Sequence, residues 1–348
     1  MTKKNTAYAI VFLVLGLLVY LHFRTWKNFD WSHLLEYRLR WRHILHAVAL
    51  IYGGYFLRAV RWKIFLRPVQ PQASTFGLIA PTIIGFTGLA LLGRPGELIR
   101  PYLIARRQNL SISSQLAVWA VERIFDVGAF TILLVSAIFF AAGARTLPFY
   151  TRFREGGFLL IAGVAAISLG AAAVYLKGEG IADWIEHRFS HLAANLGHKI
   201  ATRVREFRSG LNTIHDPLSL LMLIALSLAM WFMIIMAYQE VAHSYGVAIL
   251  DIRRSQVLVL MGASMIGSMV QLPGVGGGSQ LATIATLQHI FDVPPELAAS
   301  CGIMLWLVTF VAVVPVGLLL SHRERLSLRK LSADSAQAEE GATTEPAT

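Results

Sequence analysis

Eight stretches of this chain are apolar for about as long as a helix needs to cross a bilayer, and that repetition limits the fold more than any motif does. They cover residues 8–23, 43–66, 74–92, 115–142, 157–177, 217–241, 256–272 and 297–320. A hydrocarbon core about 30 Å thick takes ~20 residues of α-helix, and only helices or closed barrels satisfy their own backbone there. Hydrophobic residues fill 55% of the 348 positions and charged residues only 15%, so the expected class is an all-α polytopic membrane protein with about eight membrane segments. A soluble enzyme does not fit. The formal charge of +11 comes from Lys and Arg flanking apolar runs, where positive-inside sorting and anionic lipid place them. No nucleic-acid partner is expected.

The first run follows Lys3-Lys4 and ends in Tyr20-Leu21-His22-Phe23 without a small-residue cleavage site, so it is expected to remain as an anchor. The single cysteine, Cys301, permits no intrachain disulfide and is expected to be a small buried hydrophobe. Trp26, Phe29, Trp31, Tyr37 and Trp41 give residues 24–42 the aromatic content of an interfacial loop. Between 181 and 211, apolar positions recur every three or four residues among basic ones, predicting an amphipathic helix on the inner leaflet. The chain thus divides into one membrane domain, residues 1–330, and a tail, 331–348, rich in Ala, Ser, Thr and Glu and expected to be disordered in the cytoplasm.

Orientation follows from counting Lys and Arg. With the N-terminus inside and every run crossing, the two sides carry fifteen each. If residues 74–107 form a re-entrant hairpin from the cytoplasmic side and 256–290 a second from the outside, the count becomes eighteen inside against ten outside. The positive-inside rule then holds, with both termini cytoplasmic in a bacterial inner membrane. Short pieces at 95–107 and 279–290 form the second legs, after breaks at Gly93–Gly96 and Pro273–Gly278. Oppositely oriented broken hairpins are the mark of an inverted repeat with its site near the midplane, although the halves share no evident sequence identity.

The breaks and one span carry the candidate chemistry. Pro95 suits a first helical position and Glu97 the first turn, so a helix is expected to start at the first break, its N–H groups aimed at an anion beside Arg94 and Gly96. Arg100, three residues after Glu97, shares its face. In the fourth run Glu122 and Asp126 share one face and Arg123 lies about 100° round. Three arginines against three carboxylates suggest a compensated network able to open a guanidinium to phosphate. The second break, Pro273, Gly274, Gly276, Gly277, Gly278, Ser279 and Gln280, offers backbone N–H groups, with Ser279 expected to cap the following half-helix. Arg58, Arg61 and Lys63 read as snorkelling to inner head groups. No metal site or cofactor is expected: His187 and His191 lack a third ligand, and no phosphate-binding Gly-Lys loop is present.

Gly93-Arg94-Pro95-Gly96-Glu97 with Arg100, then Glu122-Arg123-Ile124-Phe125-Asp126, then Leu272-Pro273-Gly274 with its glycine run, resemble the membrane region of lysylphosphatidylglycerol synthases over roughly residues 8–320. In those bifunctional proteins the resemblance implies a flippase-like domain that moves an aminoacylated phospholipid outward, while a soluble domain makes it. Two positions depart from the family pattern: Gln280 stands where a glutamate is usual, and Trp306 near a frequent arginine. The expected activity is translocation of an anionic phospholipid or polyprenyl phosphate, with membrane lipids as partners and no catalysis. The runner-up is a membrane-embedded transferase for lipid-linked glycosyl or aminoacyl groups, or an accessory subunit of a lipid-synthesis enzyme. A lipid-synthesis enzyme or a second copy of the chain is the protein partner such a role leaves room for.

Overall fold

The computed structural model describes residues 37–140, 150–189, 197–198, 200–202, 204–205, 208, 216–268, 277–324 and 334. The first apolar run, most of residues 24–42, residues 269–276 with Pro273, Gly274 and Gly276 of the expected second break, and nearly all of residues 331–348 lie outside them. The described part is helical without strands: α1 (Trp41–Leu66), α2 (Thr75–Leu92), a 3-10 turn (Arg94–Leu98), α3 (Ile99–Gln108), α4 (Ile112–Phe140), α5 (Tyr150–Phe189), α6 (Pro217–His243), α7 (Arg254–Gly267), α8 (Gly278–His289), α9 (Pro295–Trp306) and α10 (Val314–Arg323). Among the described residues, six helices are long and apolar enough to cross a membrane: α1, α2, α4, α5, α6 and the run from α9 through α10. The chain is an all-α polytopic membrane protein, and Cys301 is buried in it.

α1 and α6 share the broadest helix contact and form the centre of the fold. They approach closely because α1 has no side chain at Gly53, where a Cβ would come within 2.3 Å of the Met233 methyl group. The last span is broken by a π-turn, Leu307–Val311. Carbonyls along that break are taken by α1, with Tyr52 Oη donating to Ala312 O at 2.9 Å and Tyr55 Oη to Thr309 O at 3.4 Å. π-Turns of this kind concentrate at functional sites.

The order long helix, hairpin, long helix occurs twice: α1, α2–α3, α4, and later α6, α7–α8, α9–α10. Both hairpins close by the same device. Gly93 (φ 71°, ψ −149°) and Gly277 (φ 71°, ψ −132°) each cap the N-terminus of the returning leg in a conformation that only glycine adopts readily. The legs then meet backbone to backbone: a Cβ on Gly96 would lie 2.2 Å from Gly88 C and O, and one on Gly267 2.2 Å from Gly278 O. Sequence comparison of the halves misses this likeness, because it resides in backbone angles and close contacts. Pro81 in α2 leaves the carbonyl of Gly77 without its N–H partner; Arg107 of α3 donates to that oxygen at 2.9 Å, tying the end of the returning leg to the start of the first.

Two expectations change. Ser279 does not cap α8; its Oγ lies 2.6 Å from Ser264 Oγ on α7 and holds the legs together, while Gly277 occupies the cap. The 181–211 stretch is not one helix. Its first part continues α5 beyond a non-helical Lys177, and Arg205 and Arg208 lie back against that part. Arg205 meets Asp183 and Glu186, each at 2.9 Å, and Arg208 meets Glu179 at 2.7 Å. Opposite charges 19 to 29 residues apart meet there, which the apolar periodicity could not reveal.

Candidate functional site

Glu122 and Asp126 sit one turn apart on the inward face of α4, both buried, as the helical spacing requires. Around them gather four arginines from three elements. Glu122 Oε1 accepts from Arg61 Nη2 at 2.6 Å and from Arg100 Nη1 at 3.2 Å, and Oε2 takes the other arm of the Arg100 fork. Arg123 Nη2 approaches Glu122 at 3.4 Å and Asp126 at 3.2 Å. Asp126 also meets Arg58 Nη1 at 3.2 Å and Arg61 Nη1 at 2.8 Å. Aromatic rings fill the gaps: Arg100 lies 4.4 Å from the Trp62 ring centre, and Phe86 stands between Arg58 at 5.0 Å and Arg100 at 5.4 Å.

This network corrects three expectations. Arg58 and Arg61 do not snorkel; they are 7% and 1% exposed. Arg58 precedes the end of α1 at Leu66 by eight residues, about 12 Å of helix, and a nearer carboxylate competes with the interface for it. Arg100 pairs with Glu122 and not with Glu97, which forms no ion pair among the described residues. Arg94 is exposed at the tip of the first hairpin, with Pro95 beside it, and joins no part of the cluster. The buried balance is therefore three arginines, Arg58, Arg61 and Arg100, to two carboxylates, with Arg123 and Glu97 both half-buried beside them. Arg61 Nε and Arg123 Nε are buried donors with no partner among the described residues. Glu97, half-buried, lines a small cleft beside Arg100, Arg123 and Trp119.

Arg58 also forms one end of a cavity of ≈ 160 Å³. Its walls come from both hairpins and both central helices: Phe86 and Leu89 of α2, Trp231 and Tyr238 of α6, Ser264 and Ser268 at the end of α7, Ser279 of α8, and Thr309 of the π-turn. Of the expected second-break residues, Ser279 reaches this cavity, while Gly277, Gly278 and Gln280 are half-buried and do not line it. A separate groove of ≈ 650 Å³ lies between α4, α5 and α6, lined by apolar residues such as Phe125, Ile132, Ala171 and Ile224. It ends at Ser227, whose Oγ accepts from Arg61 Nη1 at 2.8 Å. The sequence signal for Arg58 and Arg61 was their i, i+3 spacing inside a run that stays apolar to Leu66; no partner 61 residues away is visible in that spacing.

A family model described as lysylphosphatidylglycerol synthase TM region matches residues 7–317. The chain belongs to that family. Two relatives of this family member are UPF0104 membrane proteins of Methanothermobacter thermautotrophicus. One is 23% identical over 323 residues, covering 89% of this chain and 92% of the relative. The other is 23% identical over 294 residues, covering 79% and 83%. No solved structure matches the chain significantly. Membership in the lysylphosphatidylglycerol synthase transmembrane family places the protein in lipid biology, and the arginine cluster with its neighbouring cavity is the feature from which a more specific role is argued.

Proposed function

We propose that the protein translocates lipids with an anionic head group across the cytoplasmic membrane, acting as a carrier and not as an enzyme. The observation that carries this reading is the excess of buried arginine over carboxylate beside a cavity walled by both hairpins. The arginine forks are held by Glu122 and Asp126, while Arg61 Nε and Arg123 Nε remain donors, and Asp126 Oδ1 an acceptor, without a hydrogen bond among the described residues; three buried guanidinium charges on two carboxylates favour a further anion, and their planar forks suit phosphate oxygens. Glu122 and Asp126 hold the arginines when no lipid is bound, and the apolar groove ending at Ser227 offers hydrocarbon chains a path beside the charged centre.

In this reading both hairpins are re-entrant and enter from opposite leaflets. α7 and α8, with 14 and 12 residues, are each shorter than the ~20 residues a span requires. Moving Arg58 and Arg61 from the inside loop to the cluster leaves sixteen basic residues inside against ten outside, still consistent with cytoplasmic termini. The test is leaflet exposure of chain-labelled anionic phospholipids and polyprenyl phosphates in proteoliposomes. Wild-type protein is expected to equilibrate at least one of them; Arg58→Ala and Arg100→Ala are expected to lose the activity while remaining monodisperse. Arg94→Ala, altered outside the cluster, is expected to retain it. Equal activity in all three variants refutes the role assigned to the cluster.

A further inference from the structure

The cavity beside Arg58 has a one-sided chemistry. Arg58 is the sole charged residue among the described residues that line it. The opposite wall is a run of hydroxyls: Tyr238 Oη lies 3.5 Å from Ser264 Oγ, which lies 2.6 Å from Ser279 Oγ, and Thr309 completes the lining. Trp231, 8% exposed, lines the same space, and its Nε1 has no hydrogen-bond partner among the described residues. The carboxylates beyond Arg58, Glu122 and Asp126, are already held by arginines.

We infer that the cavity selects phosphodiester lipids whose head group is an uncharged polyol and discriminates against those that carry an ammonium group. The inference rests on the translocation reading above and narrows its substrate. Arg58 supplies the charged donors for the phosphate, and Trp231 in the wall stands where its fluorescence reports the head group's arrival. Hydroxyls both donate and accept, so the Tyr238–Ser264–Ser279 run matches a glycerol or sugar. An ammonium is a donor alone, so it can use only the acceptor half of these hydroxyls; it also meets the field of Arg58 with no carboxylate among the described lining residues to offset it, a repulsive element of the kind that sets specificity.

The experiment compares phosphatidylglycerol, phosphatidylserine and phosphatidylethanolamine with identical acyl chains. The first two carry the same net charge, so charge alone does not separate them. Binding to the purified full-length protein in detergent is read from tryptophan fluorescence, and transport from leaflet exposure in proteoliposomes. Phosphatidylglycerol is expected to bind and move about tenfold more favourably than the other two, roughly the factor that one lost polar match supplies. The fluorescence response is expected to vanish in Trp231→Phe. Ser264→Ala is expected to weaken phosphatidylglycerol several-fold and leave phosphatidylserine unchanged, and Ser279→Asp to narrow the gap between them. Phosphatidylserine bound as well as phosphatidylglycerol, a response unchanged in Trp231→Phe, or equal losses for both lipids in Ser264→Ala overturns the inference. Selective binding without transport of any lipid refutes the translocation reading instead and leaves the selectivity standing.

Discussion

Replacing Glu122 by Gln preserves shape and removes the charge on which Arg61, Arg100 and Arg123 converge. Glu122 has no exposed side-chain surface, and Arg61 and Arg100 are 1% and 4% exposed at the side chain, so water cannot take over their solvation. Breaking one partner out of a buried pair costs about 3–5 kcal/mol, because it leaves charge without compensation. That is roughly a 10²- to 10⁴-fold loss in the folding constant. Arg123 provides an internal contrast: its side chain is 39% exposed, so Arg123→Ala is expected to cost under about 1 kcal/mol. The assay is reversible unfolding of purified protein in mixed micelles, followed by circular dichroism. The double variant Glu122→Gln/Arg100→Met, which removes one of the stranded cations, is expected to recover part of the loss and give a coupling energy of about 1 kcal/mol or more. A Glu122→Gln protein within about 1 kcal/mol of wild type, or no coupling in the cycle, refutes the claim that this carboxylate anchors the centre.

Three further outcomes follow from local geometry. Gly96→Val puts side chain where the Gly88 backbone stands and is expected to abolish folding or transport, whereas Gly163→Ala, whose Cβ meets nothing within 4 Å, is expected to be silent in the same expression and exposure assays. Arg107→Gln is expected to destabilise the first hairpin by about 0.5–1 kcal/mol by removing the bond to the Gly77 carbonyl, and Pro81→Ala, which returns an N–H to that oxygen, should reduce the loss in a double-variant unfolding cycle. Asp216 caps α6 by accepting from the Ser219 backbone N–H at 2.7 Å, which lowers its pKa below the ordinary carboxylate value. Its stabilisation is therefore complete above the unfolded value of about 3.9 and lost as pH falls through the lower folded value, a dependence that unfolding titrations should show reduced in Asp216→Asn.

Helix positions were legible because hydrocarbon thickness sets their length: the expected runs at 43–66, 74–92 and 217–241 lie within two residues of α1, α2 and α6 at either end. The inward face of Glu122 and Asp126 followed from helical period alone. The missing half of the site is long-range. Arg58 and Arg61 looked like interfacial residues because their spacing describes the helix that carries them and says nothing of a carboxylate on another helix. Arg94 and Arg100 looked equivalent beside the same break, yet the backbone contact between Gly88 and Gly96 turns one inward and leaves the other exposed. Likewise, Ser279 follows the glycine run as a cap would, but the close approach of α7 brings Ser264 within 2.6 Å of it.

The cluster also imposes an order on synthesis. Arg58, Arg61 and Arg100 all precede Glu122 and Asp126 in the chain. An arginine at the centre of an isolated inserted helix costs about 2.5–3.5 kcal/mol, and less toward its end; Arg58 and Arg61 stand eight and five residues from the end of α1, and their carboxylates arrive more than sixty residues later. The nascent chain therefore carries three cations toward the membrane before it contains their partners. α1 gains its full reason to stay in hydrocarbon only once α4 has been made, so commitment to the bilayer is shared between helices and comes late.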